Sequence, residues 1–179
     1  MANKFQEFSK LKNSNTLSKD ELLSILKTEA SGIDIQKIMK ATAYLREDAR
    51  FMQSPYREDY IKRFSKAFFS RIKDLKDDKD EYKGKVDIHK LKKFLDVLEE
   101  QEKTAESEGE LCFLKIARVI ALYTTFIREE SIHPVGTSFP GGFKLKLVNG
   151  IFMCPVKEKQ MNNPSALCRF CVSVQDSEV

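Results

Sequence analysis

Between Ser18 and about residue 130, apolar residues recur at steps of three and four, the spacing that lines one side of a helix. Ser18 and Glu21 have the spacing of a capping box, Leu22, Leu23, Ile25 and Leu26 supply the apolar side of a short first helix, and Gly32 is placed to end it. Ile35, Ile38, Thr42, Leu45, Ala49 and Met52 continue a single stripe along a second helix. Ser54-Pro55 stops or restarts that helix, because proline lacks an amide donor and restricts the residue before it. A third stripe runs through Ile61, Phe64, Phe68, Ile72 and Leu75, with Phe69 widening it enough to touch more than one neighbour.

The charged run from Lys76 to Lys83, closed by Gly84, reads as a surface loop. Ile88, Leu91, Phe94, Leu95 and Leu98 define a fourth helix, which gives way to the acidic stretch from Glu99 to Glu110, with a break expected at Gly109. The fifth segment, from about Glu110 to Glu129, is apolar around most of its circumference, from Leu111 through Ile116, Val119 and Leu122 to Ile127. A helix of this kind is normally the central one, enclosed by amphipathic neighbours. The pattern is the same whether that enclosure lies within one chain or partly across a homodimer.

After Ile132 the period changes. His133 to Gly142 holds two prolines and three glycines in ten residues, a shaped turn region. Phe143 to Cys154 then alternates apolar and polar positions across Asn149-Gly150, the strongest short-range signal for a hairpin. A two-stranded hairpin is marginal alone and needs support from helices, a metal or both. The predicted fold is therefore mainly α: an irregular bundle of about five helices over residues 1–130, with a small C-terminal β-hairpin and metal-binding cap over residues 131–179.

Composition changes this picture little. At 179 residues the chain can build one core, or one core and a small appendage. An apolar content of 41% and a charged content of 32% are those of a soluble globular protein, and no run approaches a membrane span. The start shows no secretory leader, so a cytoplasmic setting with reduced thiols is expected. The net charge of +4 is mild and lysines are mixed with acids, so a nucleic-acid surface, which needs positive charge gathered on one face, is not expected.

The chemistry-bearing residues are His133, Cys154, Cys168 and Cys171, the last two spaced Cys-x2-Cys. Two cysteines so spaced can both face one ion from a single turn, and both gaps to Cys154 and His133 are easily spanned. A Cys3His set would hold zinc as a structural site. Three thiolates alone would leave an open zinc position or suit a [4Fe-4S] cluster. Cysteine is also among the residues most often buried, so inert core thiols or a metal-free dithiol answer to the same letters. His133, beside Pro134, could equally hydrogen-bond its own loop. Lys157, Lys159 and Arg169 stand near the thiols in sequence and would offset their charge.

Other residues carry less. Cys112 lies in the central helix as a core thiol, and His89 is expected at the surface. Glu47, Asp48, Glu58 and Asp59 flank Pro55 without the Glu-x-x-His units of a di-metal centre, and read as ordinary salt-bridge partners. Pro140-Gly-Gly lacks the lysine and helix of a phosphate loop. Two functional classes follow. In one, the chain is a scaffold or binding protein whose zinc-fastened cap displays Lys144, Lys146 and the Phe139-Pro-Gly-Gly loop to a protein or small-molecule partner. In the other, it is an enzyme or redox protein using an open metal site.

Thr125-Phe-Ile, His133-Pro-Val-Gly, Phe139-Pro-Gly-Gly, Cys154-Pro-Val-Lys-Glu-Lys-Gln and Ala166-Leu-Cys-Arg-Phe-Cys171 together resemble the DUF2115 or UPF0305 family of small proteins from methanogenic archaea. The resemblance is specific over roughly residues 120 to 175 and looser over the helices. It implies an anaerobic cytoplasm rich in iron-sulfur proteins. It brings no catalytic residues with it.

Overall fold

The computed structural model describes residues 11–54 and 56–179. The opening residues and Pro55, on which the leader and helix-restart expectations fall, lie outside them. Five long helices follow one another: α1 (Lys19–Ser31), α2 (Ile35–Asp48), α3 (Tyr56–Asp77), α4 (Ile88–Lys103) and α5 (Glu108–Leu122). Four of them start on a residue chosen for the purpose. The side chains of Ser18, Asp34, Asp87 and Ser107 accept the backbone N–H of Glu21, Lys37, Lys90 and Glu110, which satisfies an otherwise orphaned donor and contributes about 1 kcal/mol at each end. At Ser18 the Glu21 carboxylate returns the bond to the Ser18 N–H, completing the capping box.

The second helix ends at Asp48 and tightens into a short 3-10 turn, Ala49–Phe51. Phe68, Ile72 and Leu75 of α3 enter the core, while Phe69 stays 47% exposed and does not widen the buried stripe as expected. The expected break at Gly109 is displaced. The chain turns instead at residues 104–107, and Gly109 lies in the first turn of α5, where a Cβ would come within 3.2 Å of the Tyr44 Cβ. Glycine is there because α2 and α5 pass closely, not because the helix stops.

Central placement of α5 is observed. It packs against α1, α2, α3 and α4, most extensively against α2. Leu22, Leu26, Leu91 and Leu122 are completely enclosed, each contributing roughly 1.5–3 kcal/mol of transfer free energy. Aromatic rings join the layers: Phe113 meets Tyr44 and Phe68 at 5.5 and 5.8 Å, and Phe94 meets Phe126 at 5.6 Å. Beyond Leu122 the helix widens into a π-helical turn, Tyr123–Arg128, closed by Glu129 at φ 52°. Among the described residues no helix is long and apolar enough to cross a membrane.

The C-terminal part is a small β element. β1 (Lys146–Val148) and β2 (Ile151–Cys154) pair antiparallel across Asn149 and Gly150, both at positive φ, as a two-residue hairpin turn requires. A third strand, β3 (Val174–Gln175), absent from the sequence-based expectation, adds to β2 in parallel. Between them lie a one-turn helix, α6 (Lys157–Gln160), and a 3-10 turn, Leu167–Arg169. Phe139, Leu145 and Cys154 form a small second core, while Phe170 reaches into the main one and stacks on Phe94 at 4.9 Å.

Candidate functional site around the C-terminal thiols

Cys154 ends β2 and is buried. The backbone N–H groups of Val156 and Lys157 lie near its sulfur and favour its charged form. Cys168 sits in the 3-10 turn and Cys171 just after it. The turn holds its own shape, with the Cys171 N–H donating to the carbonyls of Leu167 and Cys168, both at 3.2 Å. The Lys157 ammonium ties the two segments together, donating to the Cys168 carbonyl at 2.6 Å and the Cys171 carbonyl at 2.8 Å. Cys171 Sγ in turn receives the Ile132 N–H at 3.5 Å and lies 3.3 Å from the Ser173 hydroxyl.

The three thiols are near enough to feel one another's charge. Burial pushes the Cys154 thiol up, and a charged Cys171 would push it further, while the two N–H donors and Lys157 pull it back. Burial likewise raises Cys168, reinforced by Cys154 and Cys171 and opposed by Lys157. All four cysteines are free thiols. Among the described residues, no three His, Cys, Asp or Glu side chains stand converged as a metal site.

His133 occupies different surroundings. Its ring lies edge-on to Phe64 and to Phe139, 5.5 Å from each, and burial there lowers its pKa to about 4. Its backbone carbonyl accepts the Ser131 hydroxyl at 2.7 Å. The loop that follows is pinned to α3: the Ser138 hydroxyl and the Arg63 guanidinium donate to Asp59 at 2.5 and 2.9 Å, holding that carboxyl below its usual range. Gly136 sits at φ 84°, a conformation that favours glycine, and a Cβ there would also require the Arg63 guanidinium, 2.9 Å away, to move. Asp59 with Arg63, and Glu47 with Arg50, are ion pairs of the ordinary kind that the sequence led one to expect.

Two residues expected on display are engaged instead. Lys146 pairs with Asp176 at 3.2 Å and Glu178 at 2.8 Å, tying β1 to the C-terminus, and Phe139 is 9% exposed inside the small core. His89 is exposed as expected, and Cys112 packs half-buried against the main core.

The sequence reading missed a polar network beneath the π-helical turn. Asp78, 8% exposed, accepts the hydroxyls of Tyr123 at 2.6 Å and Tyr82 at 2.9 Å and the Asp80 N–H at 2.9 Å. Burial alone would raise its pKa, but these donors together bring it below the ordinary carboxylate value. Arg128 donates to Tyr82 at 3.2 Å and to Glu130, which also binds Arg71 at 2.5 Å. Asp78 lay in a run of eight mostly charged residues that gave no sign of burial, so nothing local marked it.

Over residues 18–176 the chain matches the family model described as "Uncharacterized protein conserved in archaea (DUF2115)". A UPF0305 protein of Methanothermobacter thermautotrophicus is 52% identical over 159 residues, covering 89% of this chain and 97% of that protein. A UPF0305 protein of Methanocaldococcus jannaschii is 30% identical over 154 residues, covering 85% and 93% respectively. The likeness thus runs through the helices as well as the C-terminal segment. No solved structure matches the chain. With the match extending from the first helix cap to the last strand, the chain belongs to the DUF2115/UPF0305 family.

Proposed function

We propose that this is a cytoplasmic metal-binding protein that works as a structural or interaction module, its C-terminal cap fastened by zinc on the thiolates of Cys154, Cys168 and Cys171. The observation that carries the reading is the environment of these sulfurs: three thiols from two segments share one electrostatic neighbourhood, and Lys157, three residues after Cys154, donates to the Cys168 and Cys171 carbonyls. Burial on balance holds Cys154 and Cys168 as thiols, Lys157 partly offsets this, and bound zinc would displace their protons and take the thiolates. Zinc held by all three would supply a tetrahedral cross-link between β2 and the terminal turn. The fourth ligand in this reading is His133, whose ring would leave its slot beside Phe64 and Phe139.

Elemental analysis and an absorption spectrum of anaerobically purified protein test it. One zinc per chain without visible absorption is expected. Cys154→Ala and Cys168→Ala should each abolish zinc retention and lower the melting temperature alike, while Cys112→Ala should keep its zinc and lose only about 1 kcal/mol as a modest cavity. Iron with labile sulfide would replace zinc by a cluster and favour redox chemistry. Absence of metal, with equal small effects of all three substitutions, would overturn the proposal.

A further inference from the structure

A second site lies at the corner where α2 turns into α3, away from the thiols. Arg46 and Arg50 from the end of α2 and its 3-10 turn, and Arg57, Lys62, Ile61 and Ser65 from the first turns of α3, line a cleft of about 590 Å³. Glu58 is the acidic residue of the lining, so cations exceed acids there by three. Arg50 is paired with Glu47, and Arg57 donates to the Arg50 carbonyl at 3.2 Å. Among the described residues, Arg46, Arg57 and Lys62 have no carboxylate within ion-pair distance. Holding three such cations around one concavity costs repulsion that a bound polyanion would relieve.

The lining includes a further polar group without a partner. The Ser65 hydroxyl is shielded from water and makes no hydrogen bond among the described residues, an arrangement that is costly unless something completes it. Next to Arg50 of the lining, Phe51 is 82% exposed, with the Arg50 guanidinium 4.6 Å from its ring centroid. An exposed aromatic face beside an arginine is a stacking surface for a planar, electron-rich ring.

From this we infer that the α2–α3 corner binds a small phosphorylated ligand through its diphosphate group, gripped by Arg46, Arg57 and Lys62, with Phe51 taking an attached planar base. Guanidinium groups match phosphate oxygens in pairs, and a cleft of this volume suits a nucleotide-sized molecule better than a strand of nucleic acid, which needs a longer positive track.

Titration calorimetry of the full chain at low ionic strength, with pyrophosphate, ADP and adenosine as probes, tests the inference. Saturable binding of pyrophosphate and ADP is expected, with no binding of adenosine and weakening as salt is raised. Arg57→Gln/Lys62→Gln should weaken pyrophosphate at least tenfold. Lys83→Gln/Lys85→Gln, which removes equal charge from an exposed loop elsewhere, should leave it unchanged. ADP should bind more tightly than pyrophosphate, and Phe51→Ala should erase that difference. Lys62, Lys83 and Lys85 are exposed and Arg57 is half-buried, and melting curves will verify that both double variants remain folded. No saturable binding, or equal weakening in the two double variants, would overturn the site. Tighter binding of a short single-stranded oligonucleotide than of ADP, lost in the Arg57/Lys62 variant, would overturn the small-molecule assignment in favour of nucleic acid.

Discussion

Replacing Arg118 by methionine is expected to cost about 3 to 5 kcal/mol of folding stability, because it removes the guanidinium that offsets the buried Glu102 carboxylate. Arg118 is 5% exposed in α5 and donates to Glu102 of α4 at 2.6 Å, with Glu29 of α1 4.0 Å away. Burial raises the pKa of Glu102, and the attraction of Arg118 and Lys115 opposes that rise. Without the guanidinium the opposition weakens and the pKa climbs further. The folded state of the variant then binds a proton that the unfolded state releases, so its stability should fall as pH rises above the ordinary carboxylate range. Urea unfolding of both proteins at pH 5 and pH 8 checks this: the deficit should be larger at pH 8, and Glu102→Gln added to the variant should recover part of it. A deficit under about 1 kcal/mol at both pH values would show that water reaches the carboxylates and that the triad behaves as a surface pair.

The second large effect is a loss of stability on mild acidification through His133. Its ring, edge-on to Phe64 and Phe139, titrates at about 4 in the folded chain, against 6.5 for an ordinary histidine. The unfolded chain therefore takes up a proton first. Stability is fully present above pH 6.5 and is lost as pH falls toward 4, with about 2 kcal/mol gone by pH 5. Asp59 and Asp78, held below their usual range, lose their contributions only in more acid solution, and Glu102 works in the opposite sense. The measurement is urea unfolding of chelator-treated protein between pH 7.5 and 5, compared with His133→Leu. The variant should lose most of the slope. An unchanged slope would move the titrating group elsewhere.

The first effect depends on residues whose significance was hidden in the linear sequence, whereas His133 stood out as a residue but its aromatic slot did not. Glu102 sits in the acidic stretch Glu99 to Glu110 that looked fully solvated, and only the packing of α4 on α5 sets it against Arg118. Asp78 is buried because Tyr123 arrives from 45 residues away. The cationic corner was diluted in sequence by Glu47, Asp48, Glu58 and Asp59, and it becomes a cleft because Asp59 turns toward Arg63 and Ser138 while Arg46, Arg57 and Lys62 line the opening. Gly109 was misread for a related reason: a missing side chain marks either a break or a close approach, and local sequence does not distinguish them.

What the sequence determined by itself is what short-range physics controls. The capping box at Ser18, the stripes of α1 to α4, the central α5 and the Asn149-Gly150 hairpin each follow from rules acting over a few residues, where helical or strand period and turn sterics dominate. The family resemblance was legible in the same way, from contiguous motifs. Tertiary structure alone decided which charges are buried, that the helix at Tyr123–Arg128 widens, that β3 joins β2, and that the His133 ring lodges between Phe64 and Phe139 while Lys157 ties down the carbonyls of Cys168 and Cys171. Those outcomes depend on desolvation and on contacts between segments far apart in the chain, and both come into being only when the helices pack.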